Sequence, residues 1–311
     1  MAASPEDIPA IQAAEEFFVP AQKADLNPED LIVGVFIGGE SKVYPVRLLS
    51  LHEVINDKIL DAAFAVTWCP LCFSPVVYKR EIRGQELMFQ ASGYLLHDNL
   101  VLIDLQTTTL WSQLLGQGIR GALRNEVLEV LPSSLTTWEV WLEQYPDSRV
   151  LDAGKLGYKE ELPDPYRGYF STESSGLSGE GIIDPRLPGK SLVYGFRVGD
   201  ESAALVLEDL HKEELIQFQI TGLPILAVSD PSTDEGFFFI REASGETLNF
   251  RAGEGLDSIQ DEETGTLWSI RTGMGLKGPL QGTELSPIPA QLAFWFAWSS
   301  FYPETELVST P

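Results

Sequence analysis

The sequence predicts a strand-dominated α+β fold built from two homologous, β-rich halves. Three features point there. Short apolar runs alternate with period two between Gly-rich turns, helical spacing is confined to short stretches, and the chain matches itself at a nearly constant shift. With 311 residues, 44% hydrophobic and 22% charged, the chain has room for one large domain or two of ordinary size with a real core.

The self-match begins where "VGVFIGGES" (33–41) lies over "YGFRVGDES" (194–202), placing Gly34 on Gly195 and Gly38 on Gly199. "LHE" (51–53) then meets "LHK" (210–212), which sets His52 against His211, and "FAVTW" (64–68) meets "LAVSD" (226–230). Further on, "TLWSQLLGQGIRGAL" (109–123) lies over "TLWSIRTGMGLKGPL" (266–280), and the same offset pairs Trp138 with Trp295 and Trp141 with Trp298. The expected organisation is an N-terminal extension (1–29), a first repeat (30–150), a connecting strap (151–190) and a second repeat (191–311).

Within the first repeat, "GVFIGGESKVYPV" alternates about Gly38–Gly39 and predicts a hairpin. "PVRLLSLHEVIND" carries Leu48, Leu51 and Ile55 at helical spacing and predicts a short helix. "AAFAVTW", "PVVYKREI", "ELMFQAS" and "LVLIDL" predict successive strands. "SSLTTWEVWLEQYP" opens on capping residues and predicts a closing helix with Trp138 and Trp141 in the core. Residues 151–190 lack periodicity, yet "DPYRGYF" (164–170) packs three aromatics into seven residues, which predicts an ordered strap over the surface.

A formal net charge of −25 repels phosphate backbones and anionic headgroups, so neither nucleic acid nor a membrane surface is an expected partner. No apolar run is long enough for a membrane span. The N-terminus has no basic region before its first apolar stretch, so the chain as written reads as cytoplasmic rather than led by a signal peptide, and its compartment stays open. No phosphate-cradling loop, Gly-x-Ser-x-Gly elbow or His-Glu-x-x-His is present; no nucleotide cofactor is expected and catalytic residues stay unassigned.

Features found in one half only are the candidates for function. The two cysteines, Cys69 and Cys72, lie in "TWCPLCFSP", where the other half reads "SDPSTDEGF" (229–237). From Phe89 to Asp104 the first half takes four steps more than the second takes from Phe250 to Asp261, and the extra residues fall around His97. Gln113 becomes Ile270. Two thiols at this spacing can chelate a soft or borderline ion or close a small disulfide. The leading expectation is a zinc or copper site of Cys69, Cys72, His52 and His97, with Asp98, Asn99 and Gln113 orienting the ligands. One alternative is a thiol–disulfide oxidoreductase on a fold other than thioredoxin's, since Pro75 and a β-branched run follow the motif instead of a helix. The other is a non-catalytic interaction scaffold.

"YPVRLLSLHEVIND", "VTWCPLCFSPVVY", "LVLIDLQTTTLWSQLLGQGIRG", "TTWEVWLEQYPDSRVL", "DPYRGYF" and "FWFAWSSFYPETEL" together resemble the bacterial and archaeal family called domain of unknown function 3179, over nearly the whole chain and in order. The resemblance implies one family-wide two-half architecture and supplies no activity. Its signature falls on His52, Glu53, Asn56, Asp57, Cys69, Pro70, Cys72, Ser92, Gly93, Asn99, Asp104, Trp111 and Gln113, which adds Asp57 and Ser92 to the candidate site. Many members look exported or lipid-anchored. This chain departs at Phe73, where the family usually has a small residue, often glycine, and at His97, where a different polar residue is expected.

Overall fold

The computed structural model describes residues 8–159, 162–177, 184–231, 233, 235–255 and 257–309. Strands dominate an α+β chain that divides into two compact units, Met1–Lys190 and Ser191–Pro311.

The first unit starts with β1 (Phe18–Pro20), the hairpin β2 (Leu31–Ile37) and β3 (Glu40–Pro45), and helix α1 (Val46–His52). A meander of β4 (Val54–Ile59), β5 (Ala62–Cys69) and β6 (Ser74–Lys79) follows, then the ribbon β7 (Glu81–Ile82) and β8 (Gln85–Glu86). A second meander runs through β9 (Phe89–Leu96), β10 (Asn99–Asp104), β11 (Leu110–Ser112) and β12 (Gly118–Arg120). β13 (Ser134–Thr137), α2 (Trp138–Gln144) and β14 (Arg149–Leu151) return to the first sheet, whose order is β1-β14-β3-β2-β13. Beyond β14 the strap carries one helical turn, α3 (Arg167–Phe170).

The hairpin turn is made by Gly38 and Gly39, at φ 59° and 91°, the left-handed pair that a two-residue connection requires. Helix α1 is shorter than its apolar spacing predicts. Glu53 turns left-handed (φ 55°) with its N–H on the Leu49 carbonyl at 2.7 Å, and the ladder stops. Ile55 therefore lies in β4 opposite Val66, because β-branched residues gain more from pairing across a sheet than from a frayed helix end. "SSLTT" likewise departs from the predicted helix: Ser134–Thr137 pair with β2, and α2 starts at Trp138. Trp138 and Trp141 are core residues as expected, and Gly34 makes the second possible, since a Cβ there would sit 2.3 Å from the Trp141 ring.

The second unit runs through β15 (Leu192–Val198), β16 (Glu201–Val206), α4 (Leu207–Glu213), β17 (Leu215–Ile220), β18 (Leu223–Asp230) and β19 (Glu235–Ile240). The ribbon β20 (Glu242–Ala243) and β21 (Glu246–Thr247) leads to β22 (Phe250–Ala252), β23 (Ser258–Asp261), β24 (Leu267–Ser269) and β25 (Gly275–Lys277). It closes with β26 (Ser286–Pro287), β27 (Ala290–Phe294), α5 (Trp295–Phe301) and β28 (Glu306–Leu307). Apart from β1 and β26, the order of elements matches that of the first unit up to β14, and Trp298 lies on Gly195 as Trp141 lies on Gly34.

Backbone register corrects two details of the sequence match. Val54 pairs with Thr67, and Leu215 with Val228, so residues 161 apart correspond throughout these meanders. His52 thus corresponds to Glu213, not His211, and Cys69 and Cys72 correspond to Asp230 and Thr233. Matching side chains had pulled the alignment out of step at the helix end. No described helix is long and apolar enough to cross a membrane.

Candidate functional site

Cys69 is the last residue of β5 and Cys72 lies in the turn that leads to β6. The turn is closed by Cys72 N–H on the Cys69 carbonyl at 3.2 Å and by Phe73 N–H on that of Pro70 at 3.4 Å. Both thiols are sealed, at 1% and 0% exposure. Above them stands the tip of the β9–β10 hairpin, a two-residue turn made by His97 and Asp98, both left-handed at φ 52° and 61°. The Asp98 carbonyl accepts from Cys72 Sγ at 3.5 Å and from Cys69 Sγ at 4.0 Å. The four extra residues of the first half belong to this longer hairpin, and their effect is to bring a carbonyl onto the sulfurs. Burial, then the adjacent Cys69 sulfur, pushes the Cys72 thiol well above its ordinary pKa, against an opposing hydrogen bond with Asn99.

Below the turn lies a saturated amide network. Gln113 donates to Thr67 Oγ1 (3.1 Å) and the Ser74 carbonyl (3.0 Å), and its oxygen accepts from Ser74 Oγ (3.1 Å) and Asn99 Nδ2 (2.9 Å). Asn99 Oδ1 accepts the Leu114 N–H at 3.0 Å. Every polar atom of Gln113 is thus used, which fixes its orientation and the side of Asn99 that meets Cys72.

The strap closes the remaining side. Tyr169 donates its hydroxyl to the Leu71 carbonyl inside the Cys-Pro-Leu-Cys turn at 2.8 Å and accepts the Gly176 N–H at 3.0 Å. Leu177 N–H donates to the Asp98 carboxylate at 3.1 Å. Phe170 meets Phe73 edge to face at 5.8 Å, and Phe73 meets Trp68 at 5.2 Å. Lys190 Nζ lies 3.6 Å above the centre of the Tyr169 ring and donates to the Tyr169 and Thr172 carbonyls. Tyr166 donates to Glu53 at 3.3 Å, and burial pushes the Glu53 carboxyl up to about 7. Tyr169 is raised to about 12, by burial first and then by the cysteines and Asp98 among its neighbours.

The other residues singled out from the sequence make contacts of their own. His52 Nδ1 contacts the Pro9 carbonyl at 2.6 Å and Nε2 the Tyr158 hydroxyl at 3.0 Å. A carbonyl can only accept, so Nδ1 carries the proton and Nε2 accepts from Tyr158; both nitrogens are occupied, and burial lowers the ring's pKa. His97 is half-buried at the hairpin tip. Among the described residues no three His, Cys, Asp or Glu side chains converge as a metal-holding group, so the expected Cys69–Cys72–His52–His97 set is not gathered. Asp57 belongs to a separate buried cluster, bonded to Lys42 Nζ at 3.0 Å and Tyr44 at 2.8 Å. Ser92 donates to the Val101 carbonyl at 2.5 Å, across the irregular stretch of the β9–β10 pairing.

Comparison with protein families matches residues 5–305 to the model described as "Protein of unknown function (DUF3179)". The chain belongs to that family. No match was found among curated proteins, and none among solved structures.

In this DUF3179 chain the left-handed position of the Cys-Pro-Leu-Cys turn is filled by Phe73. Its φ of 52° is where glycine is free of strain, and Phe73 offsets the cost by sitting between Trp68 and Phe170. What the candidate list from sequence lacked were Glu53, Tyr158, Tyr166 and Tyr169. The aromatic density of "DPYRGYF" was the signal for Tyr166 and Tyr169, and Glu53 stood in the family signature; nothing local marked Tyr158 or what those rings would meet.

Proposed function

We propose that this DUF3179 protein is a thiol–disulfide redox protein whose centre is Cys69 and Cys72. The observation that carries the reading is the convergence of both thiols on the one carbonyl of Asp98, with no group of three or more His, Cys, Asp or Glu side chains placed to hold a metal among the described residues. In the reaction, a disulfide-bonded substrate is attacked by the Cys69 sulfur after loss of its proton, giving a mixed disulfide and releasing one substrate thiolate, which takes up that proton. Cys72, whose proton burial retains until then, gives it up and attacks the Cys69 sulfur. The second substrate sulfur leaves and takes that proton. One disulfide is reduced to two thiols and one Cys69–Cys72 disulfide forms, so atoms and electrons balance.

The test is equilibration in glutathione buffers of graded ratio, followed by counting free thiols. A single two-electron transition, abolished by Cys72→Ser, is expected. A pair that stays reduced at every ratio, both in the wild type and in the variant with Tyr166→Phe and Tyr169→Phe, overturns the reading.

A second reading is a soft ion such as Cu(I) on the two sulfurs alone. Soft thiolates select such an ion, and two sulfurs outside any group of three or more His, Cys, Asp or Glu side chains among the described residues favour it over zinc, which takes four. Elemental analysis of the wild type and Cys69→Ser separates the two. We also infer that the two units descend from one ancestral unit, with residues 151–190 as the connection; the shared element order and the constant register support this.

A further inference from the structure

The first unit's strap does more than connect. Tyr166, Tyr169, Phe170, Gly176 and Leu177 come from a stretch of twelve residues, and their contacts fall on three separate elements around the thiols: the end of α1, the Cys-Pro-Leu-Cys turn and the β9–β10 tip. The fit at the tip is close, since a Cβ on Gly176 (φ 68°) would lie 2.2 Å from the Asp98 carboxylate. With the thiols at 1% and 0% exposure, no substrate reaches them while this stretch is in place.

The groups it covers share one chemical character. Glu53 Oε1, the Leu71 carbonyl and Asp98 Oδ1 are all acceptors, and beside them lies the Phe73 ring. Removing the strap leaves two carboxylates and a carbonyl without these donors, and such groups are expensive to leave unpaired when anything apolar covers them. Whatever replaces the strap must bring N–H or O–H donors and an aromatic ring.

Resting on the thiol reading above, we infer that residues 162–177 are a lid held in the substrate's place, and that the substrate is an extended, aromatic-bearing polypeptide that displaces it through the same acceptors. Backbone N–H groups and tyrosine hydroxyls supply the required donors. An anionic or acceptor-rich small disulfide does not.

The test uses the full chain, reduced, with iodoacetamide and mass detection of each alkylated cysteine. Tyr166→Phe with Tyr169→Phe removes two donors and keeps both rings; alkylation of Cys69 and Cys72 is expected to rise about tenfold or more, while circular dichroism and the unfolding midpoint report that the fold persists. Unchanged rates in the folded double variant overturn the lid. Gly176→Ala is the second variant, expected to act in the same direction through the tip. A synthetic peptide spanning residues 162–177, added to the double variant, is expected to slow alkylation again in proportion to its concentration. A lid that opens with no protection by the peptide, or equal protection by a scrambled one, overturns the substrate class. Disulfide formation in the glutathione series is a separate readout: thiols that uncover but never pair leave the lid standing and remove the redox reading.

Discussion

Cys69 and Asp230 occupy the same backbone position in the two units, each the last residue of the middle strand of a three-stranded meander. Both are buried, yet their neighbours differ entirely. Cys69 faces the Asp98 carbonyl beside a second thiol; Asp230 is paired with the Arg271 guanidinium, where the first unit has Leu114. Glu53 and Glu214 repeat the lesson. Each turns left-handed after the first helix of its unit, and each carbonyl accepts an N–H from the neighbouring strand, from Trp68 or from Ser229. Glu214 is exposed, whereas Glu53 lies under Tyr166 at 7% exposure. One backbone frame thus serves two chemistries, and what changes is the covering segment and the length of one hairpin.

The comparison breaks first where charge is placed without its partner. Cys69→Asp puts into the first unit the residue the second unit carries, but without an arginine and against the Asp98 carbonyl. Denaturant unfolding should show a loss of about 4 kcal/mol, while Cys69→Ala should cost far less. Gln113→Ile copies Ile270 and deletes the amide that joins Thr67, Ser74 and Asn99, leaving their buried groups short of partners. A loss of about 3 kcal/mol is expected in the same measurement, together with faster alkylation of Cys72.

Glu53 sharpens the contrast through pH. Its carboxyl is raised from 4.5 to about 7, so the folded chain keeps a proton that the unfolded chain has released. The stability linked to this group is whole below pH 4.5, is lost as pH climbs towards 7, and stays lost above it. Glu53→Gln, which resembles the protonated acid at every pH, should match wild type near pH 4.5 and exceed it by about 3 kcal/mol at pH 8 in urea titrations. A wild type that gains stability relative to the variant over this interval would contradict the burial of the acid. The smallest effect is expected at Phe73→Gly. Relief of the left-handed backbone, about 1 kcal/mol, works against loss of the ring between Trp68 and Phe170, so stability should change little while alkylation accelerates.

Several elements were legible before any coordinates. Gly38–Gly39 marked a hairpin because only left-handed turns close one in two residues, and the tryptophan pairs marked core because they recur at one offset. Ile55 was misread as helical because three apolar residues at helical spacing say nothing about where a left-handed residue will end the ladder. His52 was paired with the wrong residue because identity of side chains outweighed a register visible only in strand pairing.

The amino-acid order alone placed two sulfurs within one turn, since a spacing of three residues between strands leaves them nowhere else to go. It also settled the strand-rich class, because alternation and turn residues act over a few positions. Which acid is buried, which histidine is saturated and what covers the thiols were decided by the tertiary structure. Those properties depend on groups 26 to 113 positions away, such as Asp98 over Cys72, Tyr158 on His52 and Tyr166 on Glu53. Desolvation belongs to whatever lies opposite in space, and no local pattern records it.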